Sequence, residues 1–359
     1  MPTAIDDPAL VQPEWLTGVL RDKGVLPAQR TVVSATASPV DGGNVARTVR
    51  LCLDYDAPVA GAPTSLVAKF PAVSEPARNL AALQGFYRRE VMFYRELGAR
   101  VGMRVPRCHA ARLYDADGFV LVLEDIAGGV VYDQGDGCPH EDSLLAVGQL
   151  ALLHASHWND PRLSSMRWLN QLQGPDMRVW QELFRTSWFA YVARDEVILD
   201  RELVSLGNLL CESDFAHWIG SYRGPRALVH ADFHLSNLLF ADTPDGRREV
   251  VTVDWQLATH APPLIDLAYF LGRMDPATRR RGERDLVLSY HEGLLAAGVT
   301  GYDWASCWAD YQRFVWYGVV SSLVAVAVTP LSPEEAHRYA AKVSRYLTQA
   351  LDHDSARFL

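Results

Sequence analysis

The sequence predicts an α+β protein in two lobes, an antiparallel-sheet lobe followed by a mainly helical lobe that contains a small embedded sheet. β-Branched residues cluster between Gly, Asp and Pro in the first third of the chain, whereas apolar residues three and four apart dominate after Gly128 and Gly129. The length of 359 residues also exceeds that of one average domain. We therefore expect lobes at residues 1–127 and 128–359.

The first lobe is predicted to begin with a helix in QPEWLTGVLRDKG, where Trp15 and Val19 have helical spacing and Gly24 marks the end. Three strands follow, in TVVSATASPV, DGGNVARTVRLCLDY and TSLVAKF. One long amphipathic helix is expected over 75–100. Two further strands, RCHAARLYD and GFVLVLEDI, would be joined by a hairpin at DADG.

The second lobe has helical periodicity in EDSLLAVGQLALLHASHW, in most of 178–218 and from Ala277 onward. Three short apolar runs, RALVH, NLLFA and EVVTVDW, interrupt this pattern and have strand composition. We expect them to form the embedded sheet. The apolar run FVWYGVVSSLVAVAV is shorter than the ~20 residues that span a bilayer, and it predicts a buried helix.

The composition of the chain indicates an ordinary globular protein and argues against some classes of partner. The chain is 49% hydrophobic and 21% charged, as in ordinary globular proteins. A net charge of −9 argues against a nucleic-acid partner, because nucleic-acid-binding domains usually carry a basic stripe. The five cysteines include no CxxC pair, and the first residues contain no apolar signal segment. These features predict a cytoplasmic protein with no membrane partner.

The stretch LVHADFHLSNLLF concentrates polar side chains between two apolar runs. His230 and Asp232 follow one predicted strand, Asn237 precedes the next, and the strand VVTVD ends in Asp254. Polar groups are costly to bury without partners, so this pattern calls for an explanation. Phosphoryl transfer uses such a set, with one carboxylate for the attacking hydroxyl and an amide and a second carboxylate for Mg²⁺.

The same chemistry requires a cation for the nucleotide phosphates. Lys69 lies at the end of the apolar strand SLVAKF, and Glu90 lies on the following helix, on the same face as Phe86 and Phe93. A glycine turn at Gly42 and Gly43 is a candidate to cover the phosphates, although it lacks the GxGxxG spacing.

The order of these motifs resembles the aminoglycoside-phosphotransferase and choline-kinase superfamily, which shares the protein-kinase-like fold. VAKF, Glu90, LVLED, HADFHLSN and VDWQLATHAPPLIDLAYFL occur in that order, and LHASHW and DLAYFL are similar to ecdysteroid-kinase-like small-molecule phosphotransferases. The resemblance extends from about Trp15 to about Tyr346. It implies a bilobal fold and an ATP- or GTP-dependent, Mg²⁺-dependent transfer of phosphate to a hydroxyl of a small molecule.

The resemblance assigns roles to the motif residues. Asp232 matches the catalytic aspartate, Asn237 and Asp254 match the metal ligands, and Lys69 matches the phosphate-binding lysine that pairs with Glu90.

Other positions receive supporting roles from the same resemblance. The backbone of Glu124, Asp125 and Ile126 would receive the purine, His230 would be structural, and Asp266 would brace the catalytic loop through backbone hydrogen bonds.

Two positions depart from the family pattern. Ala231 replaces the common glycine after the histidine, and Trp255 follows Asp254 where protein kinases have Phe-Gly. Neither change removes a functional group, so we expect activity. No APE element lies between Asp254 and Asp266, which favours a small-molecule acceptor over a protein.

Other interpretations stay open. His230, Asp232 and His234 have the residue types of a zinc hydrolase site, but no further ligand motif accompanies them. His154 and His157, three apart on a helix, favour packing and local hydrogen bonding. The competing non-enzymatic interpretation is a pseudokinase of the same fold that binds nucleotide and serves as a scaffold.

The acceptor is not defined by the sequence. An acidic excess in 176–223 favours a cationic acceptor such as an aminoglycoside or a basic nucleoside antibiotic, and hence a role in antibiotic resistance, but it equally fits a solvated helix face. Trp180, Phe184 and Trp188 in the same region keep a hydroxylated lipid, a steroid-like alcohol or an amino alcohol open. The oligomeric state is also undefined.

Overall fold

The chain forms two compact units in a computed structural model that describes residues 4–40, 45–114, 118–172, 176–328 and 332–359. The first unit contains the chain up to residue 129 and the stretch 241–258, and the second contains 130–240 and 259–359. The first unit is thus built from two separate stretches of sequence. The boundary predicted after residue 127 does not account for the return of 241–258 to the first unit. The family resemblance also implies that residues 1–127 bind the nucleotide and that residues 128–359 bind the acceptor and carry out catalysis, and this assignment of roles stays a prediction.

Helices and strands are numbered here in chain order within the described ranges. The helices are α1 (Pro13–Asp22), α2 (Glu75–Gln84), α3 (Phe86–Met92), α4 (His140–Ser156), α5 (Pro161–Ser165), α6 (Asp176–Val192), α7 (Arg201–Glu212), α8 (Phe215–Gly220), α9 (Leu264–Gly272), α10 (Pro276–Ala296), α11 (Trp304–Phe314), α12 (Trp316–Val328) and α13 (Pro333–Asp352). The strands are β1 (Val32–Pro39), β2 (Ala46–Tyr55), β3 (Ser65–Pro71), β4 (Cys108–Leu113), β5 (Phe119–Glu124), β6 (Asn170–Gln171), β7 (Ala227–Val229), β8 (Leu238–Asp242), β9 (Arg248–Thr252) and β10 (Thr259–Ala261).

An antiparallel five-stranded sheet, in the order β1-β2-β3-β5-β4, forms the centre of the first unit. Alternate side chains of β3 are buried, and Leu66 and Phe70 share one apolar cluster with Leu16 and Leu20 of α1. Because successive strand residues point to opposite faces, Lys69 lies on the other side of the sheet from this cluster. The predicted antiparallel sheet of the first lobe is confirmed.

The prediction of one continuous helix over 75–100 was wrong. Gly85 has φ +67°, a left-handed conformation that ends α2 and begins α3, and its N–H bonds to the carbonyls of Ala81 and Ala82. A π-helical turn over Phe93–Leu97 then continues from α3. Glycine adopts this backbone at no steric cost, which allows the chain to break at this position. Apolar spacing continues across Gly85, so the spacing alone did not reveal the break. The predicted DADG hairpin involves 115–117, outside the described residues.

The small sheet of the second unit has different strands from those predicted. β10 pairs in parallel with β6 and antiparallel with β7, whereas the sequence placed β8 and β9 beside β7. β6 and β10 have only two and three residues, too few to carry a strand pattern of their own. The embedded sheet itself is confirmed, and its membership is corrected.

The apolar run near the C-terminus forms α12, in which Trp316, Val319 and Leu323 are fully buried. This burial agrees with the helix predicted from its composition. Within the described ranges, every helix is too short or too polar to cross a lipid bilayer.

Candidate active site

Lys69 of the first unit lies between two carboxylates. Its Nζ is 2.7 Å from Oε1 of Glu90 on α3 and 3.1 Å from Oδ1 of Asp254, which follows β9. The side chains of Lys69 and Glu90 are only 14% and 2% exposed. Three of the sequence-predicted site residues are therefore brought together within one unit.

The charge of Lys69 is fixed by these neighbours. Burial alone would lower the pKa of its amine, but Asp254 and Glu90 more than offset this effect and raise the pKa above its ordinary value. Removing one member of such a buried pair leaves an uncompensated charge, which typically costs about 3–5 kcal/mol. Lys69 is thus a permanent, oriented cation at neutral pH.

The segment after Asp254 is anchored on α3 and its π-helical extension. The buried ring of Trp255 stacks on Phe93 with centroids 3.8 Å apart and planes inclined by 5°. Arg89 donates a hydrogen bond to the carbonyl of Gln256. Asp254 itself has φ +69°, a left-handed backbone that Asp tolerates better than most residues and that often accompanies function. Trp255 thus has a structural position where protein kinases have Phe-Gly.

The predicted purine-binding segment uses its acidic side chains for structure. Glu124 accepts hydrogen bonds from Arg104 at 2.7 and 2.9 Å, and Asp125 accepts them from Arg50 and Ser65, each at 2.7 Å. A purine contact at Glu124, Asp125 and Ile126 would therefore depend on the backbone, as the family resemblance implies.

The predicted glycine turn at Gly42 and Gly43 falls within 41–44, outside the described residues.

In the second unit, a buried carboxylate holds the loop that follows β7. Oδ2 and Oδ1 of Asp266, in the first turn of α9, accept the backbone N–H groups of His230 at 2.7 Å and Ala231 at 2.8 Å. Nε2 of His154 lies 3.2 Å from Oδ2, and the hydroxyl of Tyr290 lies 2.8 Å from Nδ1 of that histidine. All these groups are buried, so the network removes the desolvation cost of each member. Its effect is to fix the backbone immediately before Asp232.

The carboxylate of Asp232 is surrounded by hydrogen-bond donors. Oδ1 accepts from the hydroxyl of Tyr269 at 3.1 Å, and Oδ2 accepts from Nδ2 of Asn237 at 3.3 Å. Nε2 of His234 lies 3.4 Å from Oδ1. Burial opposes ionisation, but the charge and hydrogen bonding of His234, with smaller effects from His230 and Lys342, hold the pKa of Asp232 below its ordinary value. The carboxylate is therefore ionised at neutral pH, as a base must be.

Asn237 and Asp254 have the chemistry of magnesium ligands. Nδ2 of Asn237 donates to the backbone carbonyl of Asp232 at 3.0 Å, while among the described residues no donor bonds to its Oδ1. Asp254 contributes carboxylate oxygens, one of which accepts from Gln256 at 3.3 Å. An orientated amide oxygen and a carboxylate are hard ligands of the kind Mg²⁺ prefers. Each residue, taken by itself, therefore has donor atoms that suit this cation.

The alanine in the loop adopts a strained backbone. Ala231 has φ +65°, a conformation that costs an L-residue roughly 1–2 kcal/mol and that glycine adopts freely. We expect Ala231→Gly to raise the free energy of unfolding by about 1 kcal/mol, measured as a higher urea midpoint at an unchanged slope.

The matched control is Ala341→Gly on the exposed face of α13, which we expect to lower the free energy of unfolding by about 1 kcal/mol. A lower midpoint for Ala231→Gly would contradict the assignment of strain at that position.

Three residues near Asp232 were missed by sequence reasoning. Tyr269 donates to its carboxylate, Arg273 lies beside that tyrosine, and Lys342 of α13 lies over the same ring. Tyr269 lies three residues after Asp266 in DLAYFL, a spacing that places both on one side of a helix. Lys342 is 110 positions after Asp232 in the numbering, and no local pattern connects it to the motif.

The predicted acceptor wall over 176–223 is partly core. Phe184, Trp188 and Tyr191 of α6 are fully buried, whereas the ring of Trp180 lies 6.5 Å from that of Tyr317. The Tyr317 hydroxyl donates to the carbonyl of Ala231 at 2.8 Å. Elsewhere on α6, Arg178, Glu182 and Thr186 line a cavity of about 760 Å³ together with Val326 of α12.

Solved structures with this fold include two kinds of small-molecule kinase. A choline kinase from Cryptosporidium parvum is 12% identical, with a TM-score of 0.56 over 97% of this chain and 98% of that chain. The GDP complex of wild-type aminoglycoside 2′-phosphotransferase-IIIa is 13% identical, with a TM-score of 0.52 over 97% of this chain and 100% of that one. At these identities the likeness concerns the fold, and it confirms the kinase-like architecture expected from the motifs.

Sequence comparison identifies the family. Acyl-CoA dehydrogenase family member 11 of Gallus gallus is 36% identical over 61 residues, a match that spans 16% of this chain and 8% of that protein. The model of the phosphotransferase enzyme family matches residues 38–308, which include Lys69, Asp232 and Asp254. Because that match covers well over half of the chain and contains both clusters described above, the protein belongs to the phosphotransferase enzyme family.

Proposed function

We propose that this protein transfers the γ-phosphoryl group of ATP or GTP to a hydroxyl of a small molecule, with Asp232 as the catalytic base. The main support is the state of Asp232, an ionised carboxylate held by Tyr269 and Asn237 on a loop that Asp266 fixes. A protein that only bound nucleotide would not need this carboxylate. That difference favours an enzyme over the pseudokinase scaffold.

In the proposed reaction the acceptor hydroxyl displaces the nucleoside diphosphate from the γ-phosphorus. The acceptor oxygen forms a bond to the γ-phosphorus, and the bond between that phosphorus and the β,γ-bridging oxygen breaks, so the nucleoside diphosphate leaves with the electron pair. The hydroxyl proton moves to a carboxylate oxygen of Asp232. Such a base contributes roughly 10²–10⁴-fold to the rate, and positioning and electrostatic stabilisation supply the rest.

The donor would be bound by the remaining predicted residues. Lys69, oriented by Glu90, would contact the phosphates, and the backbone at 124–126 would receive the purine. Asn237 and Asp254 would hold Mg²⁺, which when bound neutralises charge on the phosphates. Gly42 and Gly43 stay predicted phosphate-covering residues. The described cysteines are all free thiols, which agrees with our proposal of a cytoplasmic enzyme that draws on cellular nucleotide.

The proposal can be tested by mass spectrometry of acceptor pools. The full-length protein, Mg²⁺ and either ATP or GTP are incubated with aminoglycosides, nucleoside antibiotics, amino alcohols, hydroxylated lipids or hydroxy acids. We expect one class to gain 80 Da, the mass of HPO₃, with stoichiometric formation of nucleoside diphosphate. Asp232→Asn provides the matched inactive control.

Each outcome bears on the proposal. A phosphorylated antibiotic would support a role in resistance, and a phosphorylated metabolite would support a role in metabolism. Nucleotide binding without any phosphorylated product across all pools would favour the scaffold. A product that also forms with Asp232→Asn would show that the base is another residue.

A further inference from the structure

Two cations lie beside Asp232 and share one aromatic ring. The guanidinium of Arg273, at the C-terminal end of α9, lies 5.7 Å from the ring centroid of Tyr269, and Nη1 is 3.4 Å from the hydroxyl. Nζ of Lys342 lies 5.9 Å from the same ring and 4.8 Å from that of Tyr339. The hydroxyl of Tyr269 bonds directly to Asp232. Both cations are therefore one side chain away from the proposed catalytic base.

Neither cation has an acidic partner of its own. Among the residues described by the structure, no carboxylate lies within ion-pair distance of Arg273 or Lys342, and the buried Nε of Arg273 has no hydrogen-bond partner. Burial, followed by the nearby charge of Arg273, lowers the pKa of Lys342 to about 7. Two neighbouring, half-buried basic groups that share the single negative charge of Asp232 repel one another, and such electrostatic costs are typical of binding sites.

Stabilisation of Asp232 does not account for both cations. The carboxylate already accepts from Tyr269 and Asn237, with His234 also within 3.4 Å. The single negative charge of Asp232 also balances only one of the two positive charges of Arg273 and Lys342. An ammonium group on an acceptor would be repelled here, whereas an oxyanion would relieve the repulsion between Arg273 and Lys342 and could form charge-assisted hydrogen bonds with both.

We propose that Arg273 and Lys342 bind an anionic group of the acceptor, so that the acceptor is a hydroxylated carboxylate or phosphomonoester rather than an aminoglycoside or an amino alcohol. The inference rests on the proposed function, because it takes Asp232 to face the acceptor hydroxyl. Lys342 and Arg273 are then specificity-determining residues. The loss of either should weaken acceptor binding more than it weakens nucleotide binding.

Binding of matched head groups tests this proposal. The full chain is saturated with Mg²⁺ and ADP and titrated by calorimetry at constant ionic strength. The probes are ω-hydroxy carboxylates of two to eight carbons, the corresponding amides, ω-amino alcohols and diol monophosphates of equal length. We expect at least one anion to bind about 10- to 100-fold more tightly than its amide, as charge-assisted hydrogen bonds predict.

The sequence makes the location of binding easy to observe. It contains three lysines, Lys23, Lys69 and Lys342, so protein labelled with ¹³C at lysine Cε has three resolvable side-chain signals. The Lys342 signal should shift with the bound anion, and the signal of Lys23, an exposed residue after α1, should not. Lys342→Met should lose the anion preference, Lys342→Arg should keep most of it, and Lys23→Met is the matched control.

The results separate the sources of the anion. Tighter binding of carboxylates identifies a hydroxy acid, and tighter binding of monophosphates identifies a phosphorylated alcohol. Equal binding of all head groups, no binding of any, tighter binding of amino alcohols, or an anion preference that survives Lys342→Met would each overturn the proposal.

Binding in the presence of ADP involves no transfer, so its outcome is independent of whether the protein is a kinase. Phosphorylation of an amino alcohol would support the proposed function and overturn this inference. Anion binding without phosphorylation of any acceptor would support this inference and contradict the proposed function.

Discussion

Asp232→Asn is expected to lower the rate of phosphoryl transfer by about 10³-fold while leaving the affinity for nucleotide nearly unchanged. The substitution keeps the shape of the side chain and its capacity to accept from Tyr269, but an amide cannot take the hydroxyl proton. Because the loop is held by Asp266 through the backbone of His230 and Ala231, we expect it to keep its position. The loss should therefore appear in kcat and not in the Kd for nucleotide.

Single-turnover kinetics and equilibrium nucleotide binding measure the two effects separately. Asp242→Asn, at an exposed carboxylate at the end of β8, is the matched control and should retain full activity. Loss of nucleotide binding in Asp232→Asn would mean that Asp232 binds the donor, directly or through its metal. Full activity would remove it from the catalytic step.

Asp254→Ala is expected to abolish the dependence of nucleotide affinity on Mg²⁺. In the proposed site Asp254 is a metal ligand, so its removal should raise the Kd for nucleotide in Mg²⁺ by about 10- to 100-fold or more. Without metal the affinity should not fall, because Lys69 loses one of its two carboxylate partners and keeps its charge through Glu90. Titrations of ATP with Mg²⁺ and with excess chelator measure both quantities.

Asp245→Ala, at an exposed turn in the same unit, controls for a general loss of acidic charge. Thermal unfolding of each variant identifies any loss of structure, since the segment after Asp254 is tied to α3 through Trp255. If Asp254→Ala still binds nucleotide more tightly with Mg²⁺ than without it, the ligand assignment is wrong and the acid serves only to orient Lys69.

The sequence predicted those site residues that have a recognisable pattern in the few residues around them. Lys69 was found because it ends an apolar strand, and Asp232 and Asn237 because polar residues rarely interrupt apolar runs without a reason. These are local patterns within a few residues. The break at Gly85 was missed because apolar spacing continues across it, although the glycine was visible in the sequence.

Contacts between residues far apart in the sequence leave no such local pattern. Arg273 and Lys342 reach the neighbourhood of Asp232 through the packing of α9 and α13, and nothing in their local sequence distinguishes them from residues of ordinary helices. Tyr269 differs from them only in its spacing of three residues from Asp266 on α9. The acidic excess over 176–223 led to a cationic acceptor as one candidate, whereas the charges around Asp232 favour an anionic one. Overall composition of a segment does not determine which of its charges face a site.

The return of residues 241–258 to the first unit has a consequence for biosynthesis. When a ribosome has completed residues 1–129, Lys69 still lacks Asp254, and Phe93 still lacks the Trp255 ring against which it stacks. The nascent first unit would therefore expose an incomplete apolar surface while more than a hundred further residues are synthesised. Expression of 1–129 alone should give an aggregation-prone fragment, and a tethered copy of 241–258 should be needed to make it soluble.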